Sequence, residues 1–252
     1  MPKGENMFQQ EILNQIQVNI HSSICIRGEK VIYIDPIRIA GEPHDADLIL
    51  ITHPHFDHFS PKDIKKLLKP DTAIAAPDSI AAMVKLRTGR EPLRVKPGQS
   101  LTICGIPVET IAAYNLHKPA HMQRMGWVGY VLTLGETRIY VTGDCDVTPE
   151  CSAVNCDILL LPVSGGMYTM NAKEAAELTN QIKPHTVIPI HYGVMLGGKD
   201  APEIFRDAVA GGIETDIRDT VFNNLMVWQY LRLIPIMLLC GIIGYLIGQL
   251  LS

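Results

Sequence analysis

Along most of the chain the apolar positions gather into short runs separated by turn residues, which is the pattern of strands. Residues 18–26 and 31–35 are β-rich and are parted by Arg27, Gly28, Glu29 and Lys30, so a hairpin is predicted. Residues 47–52 read DLILIT, a continuous apolar run of the kind found in a strand covered on both faces. Ser60 followed by Pro61 is an N-cap with proline at the first helical position, and a helix is expected over 61–68 until Pro70 stops it. A strand over 72–76, a helix over 79–86 and a strand pair over 100–113 follow. Residues 128–134 and 137–142 then form a hairpin around Gly135 and Glu136.

In the second half, strands are predicted over 157–163 and 186–190 and helices over 171–182 and 201–210. Strands cluster first and then alternate with helices, which implies a layered α/β domain with polar loops at one edge of its sheets, where ligand sites form. Residues 1–15 read as a polar N-terminal segment and 214–224 as a linker.

The far end differs. From 233 to 251 the chain carries no charged side chain, and at about 1.5 Å per residue such a helix covers most of a roughly 30 Å hydrocarbon core. Residues 225–252 are therefore expected to be a transmembrane anchor, with Trp228 and Tyr230 at the interface. Arg218 and Arg232 precede the run and only Ser252 follows it. The positive-inside bias then leaves a single-pass protein with its large domain in the cytoplasm. Gly244 and Gly248 are spaced to let two spans approach, which would make a homodimer.

With 252 residues there is room for one well-filled catalytic domain. The net charge of -4 supplies no broad positive field, so no nucleic acid is expected as partner. Six cysteines contain no C-x-x-C pair and read as reduced thiols. The first fifteen residues lack the features of a secretory leader.

His53, His55, Asp57 and His58 place three imidazoles and a carboxylate within six residues, directly after a buried strand. Borderline metals such as zinc bind these nitrogen and oxygen donors. Alternation along an extended loop would send His53 and His55 to one side and turn Asp57 and His58 away, so that one peptide serves two metals.

The spacing resembles the His-x-His-x-Asp-His signature of the metallo-β-lactamase superfamily. The resemblance continues with Tyr33, Ile34, Asp35 and Pro36 ahead of the signature, Thr142, Gly143 and Asp144 after a hairpin, and residues 188–193 (IPIHYG) after a late strand. It covers about 16–213. The fold it implies is a four-layer αββα sandwich of two mixed sheets flanked by helices, here with the C-terminal transmembrane helix added. The metal set it implies is His53, His55 and His121 on one ion, Asp57, His58 and His191 on a second, and Asp144 bridging them. His121 stands ahead of a Gly-Trp-Val-Gly-Tyr stretch, as one branch of the superfamily has it, and His117 competes with it. Asp57 is also a candidate to steer the nucleophile or pass a proton.

The function implied is hydrolysis of a phosphoester, lactone or thioester by water activated between two divalent ions, zinc first, with manganese or iron as alternatives. The substrate is expected to be a small molecule or lipid-linked. A membrane-tethered, non-catalytic metal-binding protein and a nuclease of the same superfamily are the rival readings. Cys145, next to Asp144, is either a buried filler or a thiolate that biases the metal. His21 and Asp35 are candidates to orient ligands from behind or to serve as hydrogen-bonded structural residues.

Overall fold

The computed structural model describes residues 3–193, 198 and 200–218. The expected anchor over 225–252 lies outside the described residues, as does the Gly244 and Gly248 pair. Among the described residues no helix is long and apolar enough to cross a membrane.

Two sheets form the centre. The first holds, in order across it, β1 (Ile16–Ile20), β2 (Ser23–Arg27), β3 (Val31–Ile34), β4 (Leu48–Leu50), β5 (Ala73–Pro77) and β6 (Leu93–Val95), antiparallel to β3 and parallel thereafter. The second contains β7 (Ser100–Ile103), β8 (Ile106–Ala112), β9 (Val128–Leu134), β10 (Thr137–Val141), β11 (Ile158–Pro162), β12 (Thr186–Ile190) and β13 (Glu214–Thr215). It runs antiparallel from β7 to β10 and parallel from β10 to β13.

The two-residue period of the strands builds the layers. Leu48 and Leu50 of β4 face inward with Ile158 and Leu160 of β11, joining Tyr130 and Ile190 in a core between the sheets. Ile49 and Ile51 face the other way, onto Ile64 and Leu67 of α2 (Pro61–Leu67) and Val84 of α3 (Ala81–Thr88). Leu159 and Leu161 face out beneath α5 (Ala172–Ile182) and α6 (Ala201–Ala208), whose Ala175, Leu178 and Phe205 cover them. A short α4 (Pro149–Ser152) adds Cys151 to that outer cluster. Strands buried on both faces must be apolar throughout, which is why DLILIT carries no alternation.

Several elements depart from expectation. The run 18–26 is two strands, because His21 takes a left-handed conformation (φ 50) and reverses the chain with Ser22. Residues 3–15 are not merely a polar segment. They form α1 (Lys3–Gln15), and Ile12 and Leu13 are buried in the inter-sheet core. The stretch taken as a linker from 214 begins as β13, paired to β12, so the packed domain runs past 213.

α2 is fastened at its start by Asp63. This buried carboxylate accepts from the Arg38 amide (2.8 Å), the Ile39 amide (3.1 Å), Ser60 Oγ (2.8 Å) and Lys66 Nζ (2.7 Å). Burial opposes its charge, yet the Lys66, Ser60 and Arg38 bonds hold its pKa below the ordinary carboxylate value. The stability it contributes is therefore complete above about pH 3.9 and is lost as pH falls through its lower folded value. Asp63→Asn should cost about 2–3 kcal/mol at pH 7 by urea unfolding. The gap from the parent protein should close in strong acid, whereas a gap of equal size at low pH would show that the charge is not what matters.

Candidate metal centre

The C-terminal ends of the parallel strands in both sheets open onto one edge, the position at which open α/β sheets place ligands. Asp35 follows β3, His53 follows β4, Asp144 follows β10, Ser164 follows β11 and His191 follows β12. His121 comes from the loop between β8 and β9, and His21 from the turn between β1 and β2.

The signature peptide does not stay extended. The His58 and Phe59 amides both donate to the His55 carbonyl (3.0 and 2.8 Å), so a tight turn over 55–58, rather than strand alternation, separates the donors. One donor group then comprises His53, His55 and His121, and another Asp57, His58 and His191, each with ligand atoms within 4.8 Å of one another. Asp144 reaches both. Its Oδ2 lies 3.9 Å from His53 Nε2, 3.8 Å from His121 Nε2 and 3.5 Å from His191 Nε2, and its Oδ1 lies 3.4 Å from His58 Nε2. Asp57 Oδ2 lies 3.2 Å from His191 Nε2. His117, the rival of His121, is exposed on the loop and is absent from both groups.

A set of buried partners fixes the ring orientations. Asp35, fully buried, accepts from the Thr52 amide (2.8 Å), Thr52 Oγ1 (2.6 Å) and His58 Nδ1 (2.7 Å). With its proton spent on Asp35, Thr52 Oγ1 accepts from His53 Nδ1 (2.9 Å). Asn115 donates through Nδ2 to the Tyr168 carbonyl, which leaves Oδ1 to accept from His121 Nδ1 (3.0 Å). Ser164 Oγ pairs with His191 Nδ1 (3.0 Å). Each of these contacts engages Nδ1 and leaves Nε2 facing inward, the tautomer that a backing hydrogen bond selects in metal-binding histidines. Asp35 thus acts behind the donors, while Thr52, Asn115 and Ser164 are partners that sequence reading missed.

The donor set fits divalent ions. With both Nδ1 atoms donating elsewhere, His53 Nε2 and His121 Nε2 turn lone pairs toward each other at 3.3 Å, an arrangement that a shared cation relieves. His58 Nε2 and Asp144 Oδ1 are buried without a hydrogen-bond partner. Burial holds His53 well below the ordinary histidine pKa and His121 at about 4, so both rings are neutral donors near neutral pH. For His58, burial opposes charge, but the Asp144 and Asp35 carboxylates raise its pKa well above normal. Burial likewise opposes ionisation of Asp144, and His191 and His58 overcome it. Trp127 packs against the rings of His53, His55 and His121 at 5.2–5.3 Å between centroids and closes the centre from behind. Cys145 is buried, and the adjacent Cys151 thiol together with burial keeps its own thiol protonated, so it offers no thiolate beside Asp144.

Among the described residues seven non-glycines are left-handed; His21 (φ 50), Asp35 (φ 47), Arg38 (φ 52) and His191 (φ 56) lie around the centre, and His44, Cys104 and Lys183 lie elsewhere. Gly129 and Gly143 serve close approach: a Cβ on Gly129 would stand 2.4 Å from the Thr142 carbonyl oxygen, in the segment that delivers Asp144.

A cavity of about 480 Å³ opens over the centre. Its lining includes the donors His55, Asp57, Asp144 and His191 together with His21, Ile37 and Arg38 and the exposed Phe56 and Tyr168.

A two-sheet α/β sandwich with His and Asp donors gathered at one edge defines a class, the metal-dependent hydrolases of metallo-β-lactamase fold. A family model described as a beta-lactamase superfamily domain matches residues 15–191. A UPF0173 metal-dependent hydrolase of Thermococcus onnurineus is 31% identical over 212 residues, covering 78% of this chain and 92% of its own. Among solved structures, a protein of Parabacteroides distasonis called a metal-dependent hydrolase superposes with a TM-score of 0.69 at 30% identity, over 81% of this chain and 92% of that one. Igni18, a metallo hydrolase of Ignicoccus hospitalis, shares the fold at 19% identity, with a TM-score of 0.67 over 81% of this chain and 94% of its own. The chain belongs to the beta-lactamase superfamily and, within it, to the UPF0173 metal-dependent hydrolases.

Proposed function

We propose that the protein is a two-metal hydrolase of small phosphoester, lactone or thioester substrates. The observation that carries this reading is Asp144, whose two oxygens face both histidine groups at 3.4–3.9 Å. His53, His55 and His121 would hold one ion, Asp57, His58 and His191 the other, and Asp144 would be shared. Such a pair supplies a water of lowered pKa and polarises the scissile oxygen, which makes a serine or cysteine nucleophile unnecessary. Zinc suits the nitrogen-rich set, and manganese or iron are alternatives.

The chain's own residues do the rest. Asp57 lies against His191 and lines the cavity, which supports a role in orienting the attacking water or passing a proton to the leaving group. The cavity has the dimensions of a small-molecule site. The uncharged run from 233 to 251 supports a tethered enzyme with its catalytic domain in the cytoplasm, acting on lipid-linked or membrane-delivered substrates.

The test is metal analysis of the full chain purified in detergent, followed by a panel of phosphoesters, lactones and thioesters on the metal form obtained. Two ions per chain, reduced in His53→Ala together with turnover, are the expected result. One ion per chain, or two ions with no turnover on any member of the panel, would overturn it.

A further inference from the structure

His53, His58, His121 and His191 share one construction: a partner behind the ring engages Nδ1, and Nε2 faces inward. His21 stands beside them and is built the other way. The residue is 8% exposed, and its Nδ1 is buried without a partner. Among the described residues no carboxylate, hydroxyl or carbonyl engages the ring to hold it as a ligand, and His21 belongs to none of the donor groups. Yet it lines the cavity with Asp57, Asp144 and His191.

The turn between β1 and β2 delivers this ring to one half of the centre. The His191 amide donates to the His21 carbonyl (3.2 Å), which ties the turn of the first sheet to the end of β12 in the second. The two rings lie 5.9 Å apart between centroids. Burial first and then His191 lower the His21 pKa to about 4, with Asp57 opposing and His58 and Arg38 adding to the fall. His191, Asp57 and His58 are the whole of the second donor group, so His21 borders that group. With Nδ1 enclosed, Nε2 is the ring nitrogen that meets the cavity, and no described residue engages it. A buried N–H without an acceptor is rarer than a buried acceptor without a donor, so the ring hydrogen belongs on Nε2. The imidazolium carries a hydrogen on Nε2 as well, so donation into the cavity does not turn on the charge of His21.

We infer that His21 is a further catalytic residue, whose Nε2–H donates a hydrogen bond to the acyl or phosphoryl oxygen of the substrate that gains negative charge as water attacks. The proton stays on Nε2. The attacked oxygen takes up the electron pair of its double bond, is held by the N–H while charged, and returns the pair when the leaving group departs. A preorganised N–H aimed at such an oxygen is worth most in a site that excludes water, and neutral imidazole serves as an electrophile of this kind. The neighbouring linings suit the role less well. Asp57 and Asp144 only accept when ionised, and Ser60 spends its hydroxyl hydrogen on Asp63. This deepens the hydrolase reading and rests on it for turnover only, since oxyanion binding and the His21 tautomer are measured separately.

The experiment uses the zinc-loaded full chain in detergent, with His21→Asn and His21→Gln. Asparagine tolerates the left-handed backbone of His21 (φ 50), but its amide stops short of the Nε2 position, whereas glutamine carries an NH₂ to it. Nitrogen-15 spectra of histidine-labelled protein, with the His21 signals assigned by their loss in the variants, should show Nε2 protonated. Methylphosphonate, a tetrahedral oxyanion, should shift that Nε2 resonance and bind His21→Asn about tenfold less tightly than the parent protein by calorimetry. His21→Gln should regain part of that affinity, and both variants should keep the parent metal content. On 4-nitrophenyl butyrate and bis(4-nitrophenyl) phosphate, His21→Asn should lower kcat about 100-fold with little change in KM. A hydrogen on Nδ1 alone, unchanged methylphosphonate affinity in His21→Asn, equal losses in the two variants, loss of metal from either, or unchanged kcat on a substrate that is cleaved overturns the inference. If neither substrate is cleaved, hydrolysis of such esters fails, while the tautomer and the methylphosphonate comparison still decide the role of His21.

Discussion

Asp144→Asn is expected to strip the centre of metal and lower kcat/KM by about 10³-fold or more, because losing even one group that stabilises transition-state charge costs about 10²–10³. Asparagine preserves the shape of the side chain and one carbonyl oxygen, so the loss measures charge. Asp144 is the one carboxylate facing His53 and His121 on one side and His58 and His191 on the other, at 3.4–3.9 Å. Without it, four inward imidazole nitrogens lose their common anion, and His58 retains Asp35 at 2.7 Å and the more distant Asp57 at 3.9 Å as counter-charges. The measurements are metal content after dialysis against buffered zinc, and turnover on whichever substrate the panel identifies. A variant that keeps two ions and more than a tenth of the activity would remove Asp144 from the bridging position.

Much of this arrangement can be read from the chain, and the reasons differ between elements. His53, His55, Asp57 and His58 are legible because one short turn delivers four donors, so their spacing carries the chemistry locally. Asp144 and His191 are legible through the resemblance to the superfamily, whose later motifs they match at the ends of β10 and β12. Their partners are not. Asn115 lies 6 residues before the His121 it orients and Ser164 lies 27 before His191, while Asp35, legible as a candidate, lies 23 before the His58 that the sequence does not assign to it. Those separations are set by which strands lie side by side, β3 beside β4 and β11 beside β12, and by the course of the β8–β9 loop, which no periodicity encodes. The same applies to the left-handed backbone at Arg38, which Asn19, Ser23 and Asp63 hold from elsewhere in the chain.

In the fold, strands and helices with strong periodicity or caps appear close to where they were predicted. The α5 capping box is one example, with Asn171 accepting from Glu174 N (3.1 Å) and Glu174 accepting from Asn171 N (2.8 Å). What escaped was weak in pattern. α1 offers few apolar residues, and its helix is held by tertiary burial of Ile12 and Leu13. β6 has three residues, two of them exposed. The break at His21 lacks glycine or proline, because a strained histidine makes that turn. Sequence patterns fail at His21, Asp35 and Arg38 for a common reason, namely that a left-handed backbone there is held by tertiary contacts rather than by a glycine or asparagine.

Asp35→Asn should lower metal affinity about 10–100-fold and destabilise the metal-free protein by about 3 kcal/mol. Asp35 is buried and receives three donors: the Thr52 amide, Thr52 Oγ1 and His58 Nδ1. An ionised carboxylate can accept from all three, whereas an amide turns its NH₂ toward one of them and leaves that donor unpaired. The substitution is clean for the backbone, since asparagine tolerates the left-handed conformation that Asp35 adopts at φ 47. Burial raises the Asp35 pKa while His58 and Thr52 oppose that rise, so the carboxylate depends on those partners as they depend on it. Two rings are released together, His58 directly and His53 through Thr52 Oγ1, one from each donor group. Affinity for both ions should therefore fall in parallel in a metal titration, while urea unfolding of the metal-free variant reports the structural loss. Loss of a single ion, or weaker metal binding with unchanged metal-free stability, would show that Asp35 does not couple the two donor groups.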